Sequence, residues 1–184
     1  MLDKRHELVY NIDTTETEVI IMKWFTNPQT LEELKKQYKR LAKQHHPDIG
    51  GSVKDMQEIN NEFDRLFEML KNTHSAADGK TYTTKTENTE TSAEFKDIIN
   101  RIINLQNITI EICGSWIWIT GDTYQHREVL KHLKFRFSKS KAAWYYHTEG
   151  YRKSHSKIYS LDEIRDLYGS ETVTGNPKLQ LQVV

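Results

Sequence analysis

The chain has a single cysteine, Cys113, among 184 residues. That excludes an intrachain disulfide and any zinc finger built on paired cysteines, and it suits a reducing compartment. Net charge is also missing, since 26 basic residues balance 26 acidic ones. Attraction to a nucleic acid, a membrane or an acidic protein would have to come from local patches. Purely apolar runs such as VIIM, Val19 to Met22, are far short of a membrane span or a signal-peptide core. No glycine-rich loop ending in lysine and a hydroxyl residue follows a strand pattern, so no phosphate cradle is evident. These absences predict a soluble, untargeted cytoplasmic protein with no membrane partner. The length suits one ordinary domain or two small ones with modest cores.

What is present divides the chain. Residues 1–21 hold two short apolar runs, ELVY and VIIM, around a Thr/Asp-rich break, and read as a lead-in that is either a small hairpin or extended. Thr30 with Glu33 three places on is a capping-box signature, which predicts a helix from there to about His45. At about 100° per residue, Leu31, Leu34, Tyr38, Leu41, Ala42 and His45 share one face of it, with Lys35, Lys36, Lys39, Arg40 and Lys43 opposite. Ser52 with Asp55 opens a second helix, to about Lys71, whose apolar stripe is Val53, Met56, Ile59, Phe63, Leu66, Phe67 and Leu70. Each stripe needs the other, so the two form an antiparallel hairpin; Pro47 stops the first helix, and Gly50 and Gly51 permit the turn. The Thr-rich stretch 72–92 has almost no aliphatic residue to offset its ordering entropy and reads as a linker.

Residues 93–169 read as a small α+β domain, roughly ββαββα, after a helix around Glu94 to Leu105. NITIEICGSWIWIT alternates apolar and polar across Gly114-Ser115, the pattern of a two-residue hairpin. If Cys113 faces Trp116, then Ile108, Ile110, Ile112, Ile117 and Ile119 share one face and Trp116 and Trp118 the other. A helix from Thr123 to Leu133, with His126, Val129, Leu130 and Leu133 inward, two strands (KFRF and AWYYH) and a terminal helix opened by Ser160 and Glu163 follow. The tail 170–184 is expected to fray.

The stretch KQHHPDIGGS, Lys43 to Ser52, concentrates chemistry between the two helices. His45, His46 and Asp48 are legitimate zinc-ligand types, but His45 belongs to the packed face and no fourth ligand is placed to complete a tetrahedron. Cys113 has no base within evident reach, so no catalytic nucleophile is assigned. No metal, cofactor or catalytic residue is expected.

TLEELKKQYKRLAKQHHPDIGG followed by MQEINNEFDRL resembles a J domain, the module of DnaJ-type co-chaperones, over residues 22–71. The resemblance rests on Tyr38 and Leu41 with basic residues between them, His46-Pro47-Asp48 in the turn, and Glu58-Ile59-Asn60 ahead of Phe63. It implies recruitment of a DnaK-type heat-shock chaperone and stimulation of its ATPase. The contact residues would be His46, Pro47 and Asp48, with Lys36, Lys39, Arg40 and Lys43 steering onto an acidic surface. The chain departs from the family at MKWFTNPQ, where Trp24 and Phe25 are expected to wedge against the helix pair in place of the usual first helix. It has neither a Gly/Phe-rich linker nor CxxCxGxG repeats. Residues 107–147 resemble an accessory module found behind J domains in proteins of phages and other mobile elements, for which no activity is implied.

Between Thr120 and Lys157 nine Lys or Arg face three acids, interleaved with aromatic residues. Two readings stand. Trp116, Trp118, Trp144 and Tyr146, with Arg127, Lys131, Arg136 and Lys141, could form a cargo surface for a protein client or single-stranded nucleic acid, rings stacking on bases and cations meeting phosphates. Alternatively, the rings close the core of a small sheet.

Overall fold

The computed structural model describes residues 6–12, 16–76, 80–83, 90–147, 159–169 and 171–174. It is a mixed α+β structure with antiparallel sheets. Strands β1 (His6–Ile12) and β2 (Glu16–Met22) make the N-terminal hairpin, of the two forms left open for the lead-in. Helix α1 (Leu31–His45) starts where Thr30 accepts the Glu33 N–H, and α2 (Val53–Leu70) where Ser52 accepts that of Asp55. The two run antiparallel: His45 lies opposite Asp55, and Tyr38 opposite Asn60 and Phe63. Phe63 is fully buried, with its ring 4.4 Å from Tyr38, 5.6 Å from Phe67 and 5.6 Å from Phe95.

The stretch 72–92 differs from the linker expected. It carries β3 (Thr73–Ser75) paired with β4 (Thr81–Thr83). Its anchors to α1 are polar: His74 Nδ1 meets Glu32 Oε1 at 2.7 Å, and Glu90 forms an ion pair with Lys35, all four residues buried. A scarcity of aliphatics misled because charged partners, rather than apolar ones, fix this segment.

Helix α3 (Ser92–Ile102) begins in a full capping box of Thr91 and Glu94. Strands β5 (Ile108–Cys113) and β6 (Trp116–Gly121) pair in the register expected, Cys113 opposite Trp116 and Ile112 opposite Ile117. A 3-10 turn at Tyr124–His126 precedes the short α4 (Arg127–His132), so the helix expected from Thr123 is broken and Val129 is exposed. Strands β7 (Arg136–Ser138) and β8 (Ala143–Tyr146), helix α5 (Leu161–Tyr168) with its Ser160–Glu163 capping box, and β9 (Glu171–Thr174) complete the order. The main sheet runs β7-β8-β6-β5-β9. Thus the tail, expected to fray from residue 170, supplies an edge strand: ETVT is too short for a pattern, but its backbone completes the open side of β5. The rest of the tail, 175–184, and the lead-in residues 1–5 and 13–15 lie outside the described residues.

One face of this sheet carries Ile108, Ile110, Ile112, Ile117, Ile119 and Trp144, and joins the α1–α2 pair and Phe95, Ile98, Ile99 and Ile102 of α3 in one continuous buried cluster. The other face carries Cys113, Trp118 and Ala143 under Leu161 and Ile164 of α5, with Arg165 bonded to Glu111. The hairpin 22–71 and the segment 93–169 therefore share one core rather than each closing its own.

Candidate partner-contact site

The site begins at the last residue of α1. Pro47 cannot continue the helix, and a 3-10 turn over Pro47–Ile49 takes over. The turn is tied to itself: the N–H groups of Ile49 and Gly51 both donate to the His46 carbonyl, at 3.1 and 2.9 Å, and that of Gly50 donates to Pro47 at 3.0 Å. Gly50 adopts φ +92°, in the left-handed region, and a Cβ on Gly51 would stand 2.1 Å from the His45 backbone. Both glycines are demanded by the turn itself.

His46 caps it. Its Nδ1 accepts the backbone N–H of Asp48 at 3.2 Å, which requires that nitrogen to be unprotonated. The His46 side chain is 12% exposed and that of Asp48 64%, so the imidazole braces the loop while the carboxylate faces outward. Asp48 Oδ2 accepts a hydrogen bond from Asn104 Nδ2 at 2.8 Å, a residue of the loop between α3 and β5. Sequence reading missed Asn104; a residue 56 positions away in an unremarkable loop carries no signal. His45 is half-buried rather than in the core, its ring edge-on to Trp24 at 4.8 Å and its Nδ1 3.8 Å from Asp55. It is the last residue of α1, at the edge of the helix pair, where Trp24 rather than the core covers it. Among the described residues no three His, Cys, Asp or Glu side chains gather as a metal would require.

The wedge Trp24–Phe25 is held by a second feature absent from the sequence reading. The carboxylate of Glu62, buried in α2, accepts the backbone N–H groups of Lys23 (3.1 Å), Trp24 (3.2 Å) and Phe25 (3.0 Å). Phe25 thereby reaches Phe63.

The basic face of α1 is not the open surface expected. Lys39 is fully buried and donates to the Ile110 carbonyl at 3.1 Å. Lys36 donates to the carbonyls of Tyr168 (3.3 Å) and Gly169 (3.1 Å), at the end of α5. Both corrections have one cause: the sheet and α5 pack against this side of α1, and helical periodicity cannot show which charged face a second layer will cover. Arg40 remains exposed, and Lys43 is half-buried, burial lowering its pKa.

The aromatic candidates are divided by the sheet. Trp116 and Trp118 stack at 5.7 Å on the α5 side, whereas Trp144 and Tyr146, paired with Ile119 and Ile117, point to the opposite side. Trp118 and Trp144 are buried, at 4% and 8% exposure. Tyr146 packs on Phe135, burial raising its pKa together with Glu90 and Glu94. Arg127 lies over the exposed ring of Tyr124, Lys131 pairs with Glu128, Arg136 is exposed and Lys141 half-buried. The four rings do not form one platform, because pairing register assigns alternate residues to opposite faces.

No helix among the described residues is long and apolar enough to cross a membrane. No protein-family model, no curated protein and no solved structure matches the chain.

Proposed function

We propose that the chain is a J-domain co-chaperone, which recruits a DnaK-type chaperone in the cytoplasm and stimulates its ATP hydrolysis, with residues 93–169 supplying client specificity. The observation that carries this reading is the Pro47–Ile49 turn, with an outward carboxylate at Asp48 and a His46 side chain spent on bracing the loop rather than on packing. A rigid loop that displays one charged group loses little freedom on binding, which favours contact with a protein partner over chemistry. In this reading exposed Arg40, half-buried Lys43 and Asp48 of the turn supply the basic and acidic groups for electrostatic contact.

Client contact is supported by large side chains left exposed between residues 124 and 137, namely Tyr124 (74%), Val129 (44%) and Phe137 (48%), interspersed with Arg127, Lys131 and Arg136. The alternative, single-stranded nucleic acid, draws no comparable support, since its rings lie on two faces and two of them are buried. The test is single-turnover ATP hydrolysis by the cognate DnaK-type ATPase with and without the full chain. The proposal requires a faster rate with the chain, reduced by His46→Gln; an unchanged rate with a folded chain would refute it.

A further inference from the structure

We propose that Asn104 is a positioning residue for Asp48, so that the partner-contact site is assembled from both halves of the chain and is incomplete in the helical hairpin alone. This rests on the co-chaperone reading and concerns the same turn. The amide nitrogen of Asn104 donates to Asp48 Oδ2 at 2.8 Å, and only the nitrogen end of an amide can face a carboxylate in this way. Both residues are exposed, and the bond touches no part of the core. Removing it therefore costs the fold little, and what it changes is the direction of the Asp48 carboxylate.

Two ties hold that residue, one from each half. Its backbone N–H is bound to His46 Nδ1, within the turn. Its side chain is bound to Asn104, which follows the buried pair Ile102 and Ile103 at the end of α3 and precedes Leu105, whose N–H closes on the Ile102 carbonyl at 3.1 Å. Asn104 is thus mounted on the shared core, and its amide is a fixed reference for the turn. Among the described residues no hydrogen bond reaches the other carboxylate oxygen, Oδ1. The bond to Asn104 satisfies one oxygen and leaves the second for a cationic or N–H donor of the ATPase, in an orientation set before binding. The same loop borders a polar cleft of about 340 Å³ with Asp122, Gln125 and His126, so the surface around Asp48 continues onto the C-terminal half.

The experiment titrates the full chain into single-turnover hydrolysis by the cognate ATPase, with melting curves for each variant. Asn104→Ala is expected to raise the concentration giving half-maximal stimulation about three- to tenfold, the size of one lost charge-assisted hydrogen bond at an exposed site, with the saturating rate and the melting temperature unchanged. Asn104→Asp, which sets a carboxylate against a carboxylate, is expected to be worse than Asn104→Ala, and Asn104→Gln, which keeps the donor, to recover most of the loss. Stimulation that is unchanged or stronger in a folded Asn104→Ala chain overturns the inference alone. Absence of stimulation by the wild-type chain overturns the proposed function and this inference with it.

Discussion

The ammonium of Lys39, midway along α1, donates to the carbonyl of Ile110 in β5 at 3.1 Å, and none of the side chain is exposed. A residue whose helical position marks it as solvated surface is thus a tie between the hairpin and the sheet. Lys39→Glu would bury a carboxylate beside a carbonyl and is expected to destabilise the full chain by about 3–5 kcal/mol, as removal of a buried charge's partner does. Arg40→Glu, on the exposed neighbour, is expected to change stability by no more than about 0.5 kcal/mol. Urea denaturation of the two variants checks the contrast; equal midpoints would mean Lys39 is not buried as described.

The Glu62 carboxylate gathers three consecutive backbone N–H groups. Glu62→Ala would leave these donors without their acceptor, and about 3 kcal/mol of stability is expected to be lost, with less for Glu62→Gln, which retains one oxygen. Trp24 fluorescence should report a looser wedge at the same time. A melting temperature for Glu62→Ala equal to that of wild type would contradict the clamp.

Cys113 and Tyr38 give stability an alkaline limit. Burial, with the neighbouring Glu111 carboxylate, pushes the Cys113 thiol from 9.0 up to about 11, and burial with Asp64 raises the Tyr38 phenol. The native state therefore holds these protons more tightly than the unfolded chain. For Cys113 that contribution is whole below about pH 9 and is lost as pH rises through about 11. That rise corresponds to about 2–3 kcal/mol, so the urea midpoint should fall across that window, and Cys113→Ala should flatten part of the fall. A midpoint independent of pH from 9 to 11 would count against a buried thiol.

Trp118→Ala and Trp144→Ala, at buried rings, are expected to cost about 3–5 kcal/mol of stability, whereas half-buried Trp116 should cost less. With the rings on two faces, Trp116→Ala should leave any low-salt binding to single-stranded DNA unchanged. A folded Trp116→Ala chain that loses such binding would restore the nucleic-acid reading.

Local rules found most of the elements. Thr30, Ser52 and Ser160 mark helix starts because a cap is a contact between near neighbours, and Gly114-Ser115 sets the register of β5 and β6 because a two-residue turn leaves no freedom in the pairing. What the sequence concealed is long-range and polar. Lys35 and Glu90, Lys39 and Ile110, and Asp48 and Asn104 are separated by 55, 71 and 56 residues, and nothing in the local pattern of either partner announces the other. The same blindness made two cores of one. Amphipathic periodicity shows that a face is apolar, as for Phe63, but not that Phe95 from another segment will complete it. At the candidate site, the turn was legible from His46, Pro47, Asp48 and the glycine pair, while its support from Asn104 was not.

The central claim turns on the charge at Asp48, and one substitution isolates it. Asp48→Asn keeps the size of the side chain and an oxygen to accept from Asn104, so the turn should keep its shape and the chain its stability to within about 0.5 kcal/mol. In single-turnover hydrolysis by the cognate DnaK-type ATPase, the wild-type chain is predicted to accelerate the reaction and Asp48→Asn to leave it at the basal rate. Equal acceleration by wild type and a fully folded Asp48→Asn chain would contradict the account.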